Sequence, residues 1–180
     1  GHPDALHFLG LLACQVNQHQ AGLALIEQSI AASPNPNPVY FNNFGNMLRE
    51  QGRLAEAIAG YQRAVALKPD YPEAHNNLGN ALREAKQPGA SMQSCAQAIA
   101  LRPGYAEAYN NLGNALQDLG ELEAAVASYG KAIGIRPEYA EAHNNLGNIL
   151  RAQDRIDEAV DAYRRAVALR PDRRVAHHSL

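Results

Sequence analysis

Glycine and proline recur in this chain at a fixed spacing, and that spacing constrains the fold more than any other feature. Gly45, Gly79, Gly113 and Gly147 stand 34 residues apart, as do Pro69, Pro103, Pro137 and Pro171. Gly10 and Pro34 extend both columns upstream with a step of 35. The extra residue falls in Pro34-Asn35-Pro36-Asn37-Pro38, where a loop tolerates insertion. Blocks Tyr71–Gly104, Tyr105–Glu138 and Tyr139–Asp172 align directly. We read five repeats, near 3–36, 38–71, 72–105, 106–139 and 140–173, with 174–180 opening a truncated sixth. A unit this short cannot bury its own apolar face, so neighbouring repeats must stack.

Each repeat reads as two helices. In the fourth, the spacing predicts a first helix from Ala106 to Leu119 and a second from Leu122 to Ile135, with Gly120 at the turn. Arg136-Pro137 ends the pair because proline cannot continue a helix. Pro88 would fall in a first helical turn, where it is tolerated. Ala108, Leu112, Ala115, Leu116 and Leu119 form one apolar stripe; Leu122, Ala125, Val126, Tyr129, Ala132 and Ile133 form the other. Gly113, Ala125 and Ala132 mark the closest approach of the helices, where larger side chains are excluded. The expected fold is all-α, one solenoid over 1–180.

Composition narrows the function. Sixteen Lys and Arg against eighteen Asp and Glu give a formal charge of -2, without the basic excess of a nucleic-acid or anionic-membrane binder. The longest apolar stretch, Phe8 to Cys14, is far too short to span a bilayer. Two cysteines, Cys14 and Cys95, cannot build a disulfide framework, which fits a reducing, cytoplasmic setting. No signal-peptide pattern is visible, and a start at Gly1 reads as an excised or processed chain.

Tyr109-x2-Leu112-Gly113-x2-Leu116, followed by Ala125-x3-Tyr129, Ala132 and Pro137, resembles the tetratricopeptide repeat signature. The first copy departs most, with Gly22, Ile26 and Ser29 where later copies carry Ala57, Tyr61 and Ala64; the third has Ser91 and Cys95 for Ala and Tyr. The resemblance implies a right-handed α-solenoid with first helices on the concave face. It also implies a module that binds peptides or proteins and has no catalysis of its own.

Three asparagine columns mark the first helices away from the core stripe. They are Asn42, Asn76, Asn110 and Asn144; Asn43, Asn77, Asn111 and Asn145; and Asn46, Asn80, Asn114 and Asn148. Asparagine is a mediocre helix former, so its repeated use implies a compensating role. A carboxamide offers two donors and an acceptor, matching a peptide unit, so the ladder is expected to clamp an extended peptide. The second column should lie nearest the groove centre. The alternative is that these amides bridge adjacent repeats and meet no ligand. Arg49, Arg83 and Arg151 follow the third column by three residues and are candidate contacts for acidic groups. Glu73, Glu107 and Glu141 fall near helix starts, where carboxylates also favour the dipole.

The carboxylate clamp of some tetratricopeptide modules needs basic residues early on the first helix, where this chain holds Asn and Glu. The Asn-Asn-Leu-Gly-Asn blocks resemble the superhelix of O-linked N-acetylglucosamine transferases and their bacterial relatives. That makes substrate recognition for a glycosyltransferase one alternative; a structural or oligomerisation module is another. The catalytic domain of such a transferase is not in this chain.

No P-loop, dinucleotide fingerprint or nucleophile elbow occurs, so no enzyme activity, cofactor or metal is expected. His75 and His143 share a column and are expected to pack between helices; His177 and His178 are adjacent and unlike an i,i+4 zinc pair. Cys95 is expected in the core, and Cys14 towards the groove without a cation to lower its pKa. Leu6, Phe8 and Leu11 belong to an uncapped apolar first helix, with Phe8 and Leu11 in columns that later hold Asn. Self-association through the array ends is the expectation they raise.

Overall fold

The computed structural model describes residues 2–35 and 37–169. The sequence expectations for Pro36, Pro171, His177, His178 and the truncated sixth repeat lie outside the described residues. Ten helices are present among the described residues, in five pairs, and no strand occurs there. The architecture is the all-α arrangement of helix–turn–helix repeats that the period requires. The chain divides into two compact units at Arg102/Pro103.

The first unit holds α1 (Pro3–Gln15), α2 (His19–Ala32), α3 (Pro38–Glu50), α4 (Leu54–Leu67), α5 (Pro72–Glu84) and α6 (Pro88–Leu101). Its core joins Leu23 and Ile26 to Met47, Leu48, Ala57, Tyr61, Leu78, Ala81 and Leu82. Three successive pairs therefore share one apolar interior, as stacking demands. Pro88 opens α6, where its missing N–H costs nothing. Cys95 is fully buried in this unit.

The second unit holds α7 (Ala106–Asp118), α8 (Leu122–Ile135), α9 (Ala140–Ala152) and α10 (Ile156–Ala168). Leu150, Ala159 and Ala162 form a cluster with Val126, Leu146 and Tyr163 packed against it. Ala108, Ala115, Leu116, Ala125, Tyr129 and Ala132 are buried as the stripe predicts. Leu119 is not: it caps α7 and is exposed, because the helix ends one residue before it.

One backbone device closes every first helix. Asn17, Gly52, Lys86, Gly120 and Asp154 occupy one repeat column, and all have positive φ, between 61° and 81°. The following N–H reaches back five residues, as in Gln87 to the Leu82 carbonyl and Glu121 to the Leu116 carbonyl, both at 2.9 Å. This is the Schellman closure, which satisfies orphan carbonyls and needs a left-handed residue. Glycine fills that position freely; Lys86 does so against its steric preference.

The recurrent mid-helix glycine has a different cause. A Cβ at Gly45 would stand 2.7 Å from the Tyr61 ring, at Gly113 2.6 Å from the Tyr129 ring and at Gly147 2.7 Å from the Tyr163 ring. The glycine and tyrosine columns are therefore two halves of one helix contact.

Candidate functional site

The glycine–tyrosine contact places each tyrosine hydroxyl beside an asparagine fifteen residues earlier. Tyr61 donates to Asn46 Oδ1 at 2.8 Å, Tyr129 to Asn114 Oδ1 at 2.7 Å and Tyr163 to Asn148 Oδ1 at 2.9 Å. Burial pushes the Tyr61 hydroxyl up to about 12, so it stays protonated as a donor. Tyr129 also reaches Gln117 Oε1 at 3.1 Å.

A second layer of bonds links consecutive repeats. Asn77 Nδ2 donates to Asn42 Oδ1 at 3.0 Å and to Asn46 Oδ1 at 3.2 Å. In the second unit Asn145 Nδ2 repeats the pattern on Asn110 Oδ1 at 3.0 Å and Asn114 Oδ1 at 3.2 Å. Reversing either amide would set oxygen against oxygen, so the network fixes amide polarity. Among the described residues, Asn77 and Asn145 spend both N–H bonds and keep Oδ1. Among the same residues, Asn46 and Asn114 each accept twice on Oδ1 and keep Nδ2. Within each unit, Asn77 or Asn145 thus offers an acceptor and Asn46 or Asn114 a donor.

The remaining amides divide sharply. Asn42, Asn76 and Asn110 are buried, Asn110 completely. That is a correction for these three as ligand contacts: their side chains lie inside the stack, and Asn110 Nδ2 donates to Glu141 Oε1 at 3.2 Å. Asn42 and Asn110 make the bonds to the neighbouring repeat that the bridging alternative expects. Asn144 is exposed, while Asn43, Asn80, Asn111 and Asn148 are half-buried. Asn80 lacks the tyrosine donor because its repeat carries Cys95 there.

The first pair supplies its own rung. His7 is buried, stands in the column of Asn42 and pairs its Nε2 with Asn43 Nδ2 at 3.1 Å. Its ring stacks on Tyr40 with centroids 4.3 Å apart, and the Tyr40 hydroxyl donates to Asp4. Burial holds the imidazole pKa below its ordinary 6.5, against the pull of Asp4. His7 is therefore neutral, accepting at Nε2.

Two members of the carboxylate column are paired within the fold. Glu73 pairs with Arg102 and Glu107 with Arg136, each partner lying 29 residues on. Arg136 also lies over the Tyr139 ring, 4.8 Å from its centroid. Arg49 and Arg83 are half-buried and Arg151 is exposed. His75 and His143 each contact a preceding proline carbonyl, of Pro69 and Pro137, at 2.9 Å. Leu6 and Leu11 are half-buried, while Phe8 is 67% exposed. Between α1 and α3 lies a depression of about 360 Å³ lined by Leu11, Cys14, Gln15, Asn43, Asn46, Met47 and Glu50.

Sequence reasoning missed the Asn–Tyr pairs and the His7 rung. The signal was present: tyrosine and the third-column asparagine are absent together from the first repeat, where Ile26 and Leu11 replace them. Among the described residues no helix is long and apolar enough to cross a membrane.

Models of the tetratricopeptide repeat match residues 72–105, 94–127 and 140–173, and a further repeat model matches 45–84 and 113–150. No curated protein is matched at a significant level. Among solved structures, MamA is 26% identical over 89% of this chain and 93% of its own, with a TM-score of 0.80. YrrB, described as a repeat protein with an unusual peptide-binding site, is 20% identical over 96% of this chain and 89% of its own, at 0.73. The first such domain of Spaghetti (RPAP3), bound to the HSP90 peptide SRMEEVD, is 28% identical over 67% of this chain and 95% of its own, at 0.64.

Proposed function

The chain belongs to the tetratricopeptide repeat family, and on that footing we propose that it is a protein-interaction scaffold whose first helices bind an extended peptide segment through its backbone. The observation that carries this reading is the fixed amide polarity. Asn46 and Asn114 have Oδ1 tied by two donors, with Nδ2 unspent; Asn77 and Asn145 have Nδ2 tied to two acceptors, with Oδ1 unspent. A peptide backbone alternates the complementary groups, C=O and N–H. Preorganised amides lose little freedom on binding, so each bond contributes more of its worth. Peptide binding by RPAP3, a relative of matching fold, supports the same use of the fold here. Its acidic peptide is not the ligand expected, since the early first-helix positions here hold Glu73, Glu107 and Glu141.

The test is capture from a synthetic library of unstructured nonamer peptides, read with helicity. The variant carrying Asn77→Ala and Asn145→Ala should lose about tenfold in capture, two hydrogen bonds' worth, while circular dichroism stays helical. Undiminished capture by a folded variant would overturn the reading in favour of a purely structural ladder.

A further inference from the structure

The first rung of the ladder differs chemically from all later ones. Leu11 stands where later repeats place Asn46, Asn80, Asn114 and Asn148, and Cys14 where they place Arg49, Arg83, Gln117 and Arg151. With Met47 these side chains floor the depression of about 360 Å³ between α1 and α3. Leu11 and Cys14 pack against the buried core of the first unit, so the floor is held from beneath. Burial, and secondarily the Glu50 carboxylate, push the Cys14 thiol up. It is neutral, and contributes apolar surface rather than charge.

The rim is polar, formed by Gln15, Asn43, Asn46 and Glu50. Among the described residues lining the depression, Glu50 alone is charged; it is exposed and has no ion-pair partner there. An apolar floor beneath a single carboxylate complements a long methylene stem ending in a compact cation. We propose that this depression seats a lysine side chain of the bound peptide, its stem over Leu11, Cys14 and Met47 and its ammonium on Glu50. The proposal rests on the peptide-binding reading and adds a side-chain preference to it. The ladder would read backbone, and the first rung would set the register.

The experiment uses the full chain on beads and positional pools of unstructured nonamers, each fixing lysine, norleucine or glutamate at one site. Norleucine keeps the stem and removes the charge. One fixed position should favour lysine over norleucine by about threefold, the scale of an exposed ion pair, and disfavour glutamate. Glu50→Gln should flatten that preference, and Glu50→Lys should invert it towards glutamate, with helicity unchanged. Capture without a lysine preference, or with one that neither Glu50 variant moves, would overturn the lysine seat and leave the peptide reading standing. No capture from any pool would overturn both. A second copy of the chain as occupant would appear as a dimer mass in light scattering that Glu50→Lys abolishes, and would also overturn the seat.

Discussion

The first helix pair and the second solve one packing problem with opposite chemistry. In the second pair, Gly45 admits the Tyr61 ring and the tyrosine hydroxyl ties down Asn46. In the first, Gly10 admits Ile26, a Cβ there standing 2.6 Å from Ile26 Cγ1, and Leu11 replaces the asparagine. The close approach is kept; the polar pair is dropped as a unit. The lesson is that the asparagine and tyrosine columns are coupled in the first, second, fourth and fifth repeats; the third keeps Asn80 beside Cys95 and is the exception. A half-buried amide without its hydroxyl, or a buried hydroxyl without its amide, carries a desolvation cost that both together avoid. His7 shows the complementary rule, because it replaces an asparagine as acceptor and the Asn43 bond survives.

The largest expected effect comes from attacking what the two pairs share. Gly45→Ala drives a Cβ to 2.7 Å from the Tyr61 ring and should cost about 3 kcal/mol in urea unfolding. Gly130→Ala, on the second helix α8 and with nothing within 4 Å, should instead stabilise by about 0.5–1 kcal/mol. Equal effects at the two sites would break the packing argument.

Converting the second pair into the first comes next. Tyr61→Ile should cost about 2–3 kcal/mol, from lost volume and an Asn46 acceptor short of one donor. Adding Asn46→Leu should cost less than the sum of the two single changes, with a coupling of about 1 kcal/mol in a double-mutant cycle. Strict additivity would mean the two columns are independent.

A smaller effect should follow from pH. The folded pKa of His7 is held below 6.5, so the unfolded chain takes up the proton first. Stability contributed by neutral His7 is then complete above pH 6.5 and declines as pH falls below it, levelling once the folded protein is also protonated. Thermal melts should show this slope, and His7→Asn, which restores the residue of the later repeats, should remove it. A last effect concerns the turns: Lys86→Gly should stabilise by about 1 kcal/mol by relieving a left-handed lysine, φ 61°, that Gly52 and Gly120 avoid.

The helix pairs, their turns and the small residues at the closest helix approach were legible because each follows from a local rule at a fixed period; that the tyrosine ring fills the glycine's place was not. Gly120 and Pro88 stand where helix ends require them. The orientation of the asparagines was less legible, for a physical reason. Polarity in a sequence reads as exposure, yet Asn42, Asn76 and Asn110 are buried. For Asn42 and Asn110 the partners lie 31 to 35 residues away, on the neighbouring repeat, where no local spacing reveals them. Glu73 and Glu107 were legible as helix-start carboxylates, but their arginines, 29 residues on, were not.

We propose that inter-repeat bonds aim the outer amides at a peptide backbone. Side-chain amide NMR of the asparagines during titration with a captured nonamer tests it most directly. The Nδ2 protons of Asn46 and Asn114 should shift on binding, while those of buried Asn42 and Asn110 stay in place. Shifts confined to the buried column, or none at any asparagine under saturation, would contradict it.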